Sequence, residues 1–342
     1  MAREGGEMNH VERFRAVMGF RPFDRLPRIE WAPWWDKTVE RWRGEGLPEH
    51  LRDAADIRDF FGLDPYRQLW IRPYREECPQ PAGHGLGIVE DEKGYEEIHN
   101  CLYPEPAFNM ETVRQWREAH REGDMVVWIS LDGFFWHPRN ILGIERHLLA
   151  FYDQRELMHR INRDLLEFNL RAVDEFCRSV CAPDFMTFAE DMSYNHGPML
   201  SKRCYDDFIA PYYRRIVPAL KEKGIIPIVD SDGDITSMIP WLEEAGIEGA
   251  LPCERRAGVD ICAMRRKHPG FKVIGAFDKT VMKDGEAAMR REFERLLPAA
   301  KTGGFIPSVD HQTPPEVSLE TYRTYVKLLG EYCGRAGVKI LS

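Results

Sequence analysis

The residues of this chain that could do chemistry are acids and one histidine, placed at the ends of short apolar runs. The densest case is Ile225-Ile-Pro-Ile-Val-Asp230-Ser231-Asp232-Gly233-Asp234. Like charges packed into one turn cost folding energy unless a cation, a donor network or a helix N-terminus meets them. Asp234 fits a cap on the helix that follows. Asp230-x-Asp232 exceeds what one cap uses, and so does the pair Glu190-Asp191 after the run at 185–189. His311 follows Asp310 at the end of the run at 305–309. An imidazole facing carboxylates is suited to proton transfer or metal ligation near neutral pH. His311, Asp191 and Asp232 are the catalytic candidates.

Aromatic residues crowd the same kind of position. Gly133-Phe134-Phe135-Trp136-His137 comes directly after Asp132, and Trp31 lies in an early run of the same type. Rings of this size suit the wall of an apolar-faced pocket. Trp31, Phe134, Phe135 and Trp136 are therefore expected to bind substrate, with Arg255 as a clamp for a carboxylate. Trp34 and Trp35 supply either an opposite wall or packing.

These groups need elements to hold them. Apolar runs at 125–131, 185–189, 225–229, 250–252, 272–276 and 305–309 alternate with helical patterns at 144–149, 155–179, 202–223, 235–245, 285–299 and 318–335. Strands alternating with helices imply parallel βαβ units. With 28–31 and one more strand within 63–71, the count reaches eight, the number of a (β/α)8 TIM barrel, with a doubly wound sheet as the alternative. Chemistry in such a barrel sits at the C-terminal ends of the strands, where these acids fall. Residues 68–106 break the rhythm with alternating stretches around Glu92-Lys93-Gly94 and are expected to form a β-hairpin insertion. The expected organisation is one barrel domain over 1–342.

Composition narrows the partners. The chain has 342 residues, 43% of them hydrophobic, enough for a large core. Its 47 Lys+Arg against 56 Asp+Glu give a formal charge of −9, which argues against nucleic acid or an anionic membrane as partner. No apolar run approaches the ~18 residues of a span, and the first residues carry no apolar export segment. Eight cysteines without a Cys-x-x-Cys pair fit reduced thiols. The expected setting is cytoplasmic, and the expected ligand a small molecule.

The order of motifs resembles the uroporphyrinogen decarboxylase superfamily, which also contains corrinoid-linked methylcobamide:thiol methyltransferases. The resemblance rests on Glu12-Arg-Phe-Arg-Ala with Arg21-Pro-Phe-Asp24-Arg25-Leu-Pro27, on Glu190-Asp191-Met-Ser-Tyr-Asn-His-Gly197-Pro-Met-Leu-Ser201 leading into Phe208-Ile-Ala-Pro211-Tyr212, and on Asp310-His311-Gln-Thr-Pro314-Pro315-Glu316. It implies the barrel. Where decarboxylases carry an arginine-rich clamp for the porphyrinogen's carboxylates, this chain reads Trp34-Trp35-Asp36-Lys37-Thr38. Asp64 stands near the place of the decarboxylases' catalytic aspartate. Where the methyltransferases hold zinc through His-x-Cys and a late Cys, this chain has Asp230, Asp232 and His311. The resemblance thus implies a harder divalent metal site, zinc or similar, on those three residues. It further implies methyl transfer on a small oxygen-bearing substrate, linked to a corrinoid or corrinoid protein. The alternatives are decarboxylation of a tetrapyrrole-like or other carboxylated substrate, and a non-catalytic tetrapyrrole- or corrinoid-binding protein.

Overall fold

The computed structural model describes residues 7–337; the opening residues 1–6, read above for an export segment, lie outside them. Seven parallel strands form one curved sheet in chain order: β1 Tyr66–Ile71, β2 Val126–Asp132, β3 Phe185–Ala189, β4 Ile226–Asp230, β5 Gly249–Leu251, β6 Lys272–Phe277 and β7 Phe305–Val309. Every residue of β2, β3 and β7 is buried, as expected for parallel strands covered on both faces. Helices cover the outside. The 25-residue helix Arg155–Ser179 buries Leu157, Ile161, Leu165, Phe168, Ala172 and Phe176, three and four residues apart, on a single face.

The eighth position is occupied without a ladder. Residues 27–31 pass between β7 and β1, and side chains take most of their polar groups. The Tyr66 hydroxyl donates to the Glu30 carbonyl at 2.8 Å, Trp31 N donates to Ser308 Oγ at 3.2 Å, and Val309 N donates to the Glu30 carboxylate at 3.3 Å. The expected strand at 28–31 is therefore not formed and the sheet stops at seven strands, because side chains rather than neighbouring backbone take most of its polar groups. The helix His10–Met18 plugs the N-terminal end, where Phe14 stacks on Phe185 and Phe185 on Trp128, both at 5.1 Å.

The hairpin expected at 68–106 is not there. This stretch holds β1, an irregular run, and the helix Glu92–Ile98 followed by a short turn of helix. The polar cluster read as a hairpin turn is a helix start, since Asp91 caps it and accepts from Gly94 N at 2.9 Å. A single antiparallel bridge between Tyr74 and Leu102 is all the pairing between its two ends. Among the helices, the pattern at 202–223 breaks into Lys202–Phe208 and Ala210–Glu222 just before Pro211, which lacks the N–H to continue the first segment. No helix among the described residues is long and apolar enough to cross a membrane. All eight cysteines are free thiols.

Candidate active site at the strand ends

Register decides which side chains meet. Asp132 on β2, Ala189 on β3, Asp230 on β4 and Leu251 on β5 are in one row across the sheet. One level deeper lie Trp70, Ser130, Thr187 and Ile228, and below those Gln68 and Trp128. Since alternate residues share a face, these rows line the barrel interior. The small Ala189 leaves room beside Asp230. A cavity of about 410 Å³ opens there, lined by Trp31, Trp70, Trp128 and Trp136, by Gln68 and Gln312, and by Asp191, Asp230, Asp232 and His311.

The acidic turn is held from three sides. Asp232 N donates to Asp191 Oδ1 at 3.3 Å, Gly233 N to Glu254 Oε2 at 2.9 Å, and Asp234 N to the Tyr194 carbonyl at 3.0 Å. Gly233 has φ +84°, and a Cβ there would meet the Tyr194 backbone at 2.7 Å, so the turn requires glycine. Asp191 itself adopts φ +44°, an unusual backbone for a non-glycine residue, which swings its carboxylate towards Asp232. Asp234 accepts from Thr236 N at 2.9 Å and closes a local turn; it does not cap the helix, which starts only at Ile239 after Met238.

The electrostatics follow from this crowding. Burial, and then the neighbouring carboxylates Asp191 and Asp232, push the half-buried Asp230 carboxyl well above the usual range. Burial and then Asp232 raise Asp191, against a guanidinium of Arg139 at 4.0 Å. His311 Nε2 lies 3.6 Å from Asp232 Oδ2, and that carboxylate raises the imidazole's pKa against the effect of burial. The pocket thus holds an imidazole biased towards its charged form beside a set of mutually repelling acids.

Other candidates are elsewhere. Glu190 is fully buried and anchors a wall. It accepts from Phe134 N at 2.9 Å, Phe135 N at 2.7 Å and Trp136 N at 3.1 Å, and from the Tyr213 hydroxyl. Gly133 makes this possible, because a Cβ there would sit 2.1 Å from the Glu190 carboxyl carbon. Phe134 and Phe135, expected in the pocket, are buried in the core instead. Phe134 packs on Tyr212 and Tyr213, and Phe135 on His147 and Phe151, because Glu190 draws their backbone inward. Arg255 does not line the pocket: its backbone N donates to Asp310 and its side chain turns to the Val259 carbonyl. Trp34 is core, packed on Trp42 and Tyr322, and Trp35 is exposed. Asp64 precedes β1, at the opposite end of the barrel from the pocket, and the guanidiniums of Arg25 and Arg28 bind it. It is a structural ion-pair centre.

The proposed metal ligands converge on the pocket but not on a point. Among the described residues no group of three His, Cys, Asp or Glu side chains is set to hold a metal ion. Asp232 and His311 pair with each other instead. In this arrangement the three are not gathered as a ligand set, and no step is derived through a metal. Sequence reasoning missed Gln68, Trp70, Trp128 and Gln312. The signal was present: Gln68-x-Trp70 and Trp128-x-Ser130-x-Asp132 alternate polar and aromatic residues on one strand face.

The chain can now be compared with known proteins. The family described as Uroporphyrinogen decarboxylase (URO-D) matches residues 108–332. A curated uroporphyrinogen decarboxylase from Anaeromyxobacter sp. (strain Fw109-5) is 27% identical over 128 residues, 37% of this chain and 36% of that protein. The match therefore spans about a third of that relative's length. A methyltransferase from Methanosarcina mazei superposes with a TM-score of 0.64 at 13% identity, covering 95% of this chain and 99% of its own. A Listeria monocytogenes protein described as a vitamin-B12-independent methionine synthase gives 0.50 at 12% identity, over 93% and 99%. At these identities the two structures speak for the barrel fold.

Proposed function

This chain belongs to the uroporphyrinogen decarboxylase family, and from that premise we propose that it is a cytoplasmic enzyme of methyl transfer. It acts in the rim pocket on a small oxygen-bearing substrate and is linked to a corrinoid carried by a partner protein. The observation that carries this reading is the lining of the pocket. It holds an imidazole paired with Asp232, two further acids and four indoles, and no arginine or lysine is among the described residues that line it. A porphyrinogen bearing several carboxylates would meet carboxyl groups there, while the guanidiniums stacked on Trp70 and Trp136 are already paired with Asp132 and Asp191. The methyltransferase among the structural neighbours supports the same reaction class.

The corrinoid supplies the nucleophile that accepts the one-carbon unit. This chain's own residues do the rest. His311, biased towards its protonated form by Asp232, donates its proton to the substrate oxygen as the bond from oxygen to methyl carbon breaks and the electron pair stays on oxygen. Asp191 and Asp230 orient the polar end, and the indoles exclude water from the methyl group.

The test incubates the purified protein with reduced corrinoid and a panel of methanol and methyl ethers, following the corrinoid's visible spectrum, with uroporphyrinogen tested in parallel for released carbon dioxide. Enzyme-dependent methylation of the corrinoid, lost in His311→Gln, is the expected result. Carbon dioxide release without methyl transfer would establish the decarboxylase in its place. Tight corrinoid binding with no turnover in either assay would make the chain a binding protein.

A further inference from the structure

Four of the chain's nine tryptophans line one cavity, and the protein itself occupies most of their N–H groups. Trp31 Nε1 donates to the Val309 carbonyl at 2.6 Å, Trp70 Nε1 to Asp132 Oδ1 at 3.0 Å and Trp128 Nε1 to Thr187 Oγ1 at 3.0 Å. What those three rings offer a ligand is π surface rather than a donor. Indole faces attract positive charge, and two of these rings already hold a guanidinium: Arg72 Cζ is 3.5 Å from the Trp70 ring centroid, and Arg139 Cζ is 5.0 Å from that of Trp136.

The acids complete the pattern. Arg139 lies 4.0 Å from Asp191, and His311 lies 3.6 Å from Asp232. Asp230, on the same wall, faces the other two carboxyls and has no cationic partner among the described residues. That carboxyl is thus biased towards its neutral form for want of a counter-charge in a cavity walled by indoles, and a cation beside it would favour ionisation. An anion would be repelled, and a neutral apolar ligand would leave that carboxyl unmatched. A bare metal ion lacks converging ligands. A cation whose charge is spread over methyl groups satisfies both surfaces, and 410 Å³ is ample for one of a few carbons.

We infer that the rim cavity binds a small methylated ammonium compound, its methyl groups against Trp31, Trp70, Trp128 and Trp136 and its charge facing Asp230. This narrows the oxygen-bearing methyl donor proposed above to one that also carries a methylated ammonium group, and it rests on that reading for the site's use in turnover. Binding is tested separately, by calorimetry on the whole chain with choline, tetramethylammonium, acetate, and 3,3-dimethylbutanol as the neutral carbon isostere of choline. Choline is expected to bind about tenfold or more tighter than the isostere, and Asp230→Asn to remove most of that preference while the isostere's affinity is kept. Equal or tighter binding of the isostere or of acetate by the unmodified protein overturns the inference, whatever the variant does. Cation preference without methyl transfer leaves the inference standing and removes the proposed reaction. Methyl transfer from neutral ethers without cation preference does the reverse.

Discussion

Glu190 and Asp191 are neighbours in the chain and stand on opposite sides of a wall. Glu190 points into the core, satisfied by three backbone N–H groups and the Tyr213 hydroxyl. Asp191, turned by its φ of +44°, points into the pocket, where its neighbours are Asp232 and Arg139. The same division runs round the rim. Asp310 binds Arg255 N and Lys279 N, and Glu30 binds Ser308, while Asp230 and Asp232 face the cavity. An acid at a strand end therefore has two possible duties, and what separates them is whether donors surround it. A carboxylate enclosed by N–H groups is structural; one facing other carboxylates is held at a cost and is the better candidate for function.

That contrast can be broken by experiment. The largest effect is expected in the pocket: His311→Gln or Asp232→Asn should lower turnover by about 100-fold or more while leaving the denaturation midpoint nearly unchanged. A large stability loss with retained turnover would place these residues in the wall class instead. Next comes the wall. Glu190→Gln sets an amide N–H₂ against backbone donors and should cost about 3 kcal/mol of unfolding free energy at pH 8, measured in urea. An undiminished midpoint would show that Glu190 is not the anchor described.

Titration gives two finer tests. Burial pushes Glu190 and Glu30 up to about 7. The folded state then keeps protons that the unfolded chain releases, so stability should fall as pH rises from the ordinary carboxylate range to about 7 and level off above it. Urea midpoints across that window should show the slope, and Glu190→Gln should flatten it. His311 is also raised, in its case by Asp232, and its charged form is the proton donor. Turnover should therefore decline as pH climbs through the raised pKa, a limb absent from the residual activity of His311→Gln. The smallest effect is expected for Asp234→Ala, which loses only the turn hydrogen bond from Thr236 N: about 1 kcal/mol, with turnover intact.

Much of the architecture was legible because periodicity is local. Strands read at 185–189 and 305–309, and the helix at 155–179, match Phe185–Ala189, Phe305–Val309 and Arg155–Ser179. Asp191, Asp230, Asp232 and His311, singled out at strand ends, do share one pocket. The misreadings are of another kind. Asp91 and Gly94 have turn chemistry that serves a helix cap as well as a hairpin. Phe134 and Phe135 have the composition of a pocket wall and of a core alike, and only the position of Glu190 decides between them.

The sequence by itself determined most of the strands and helices from residue 125 onward, and that acids and a histidine collect at the strand ends, since burial patterns act over a few residues. Tertiary structure alone decided which of those acids meet. Asp191 and Asp232 come together across 41 residues, His311 and Asp232 across 79, through strand register and a turn in which Gly233 admits the close Tyr194 backbone. Charge repulsion, cation pairing and indole enclosure are properties of those meetings, and no single stretch of the chain contains them.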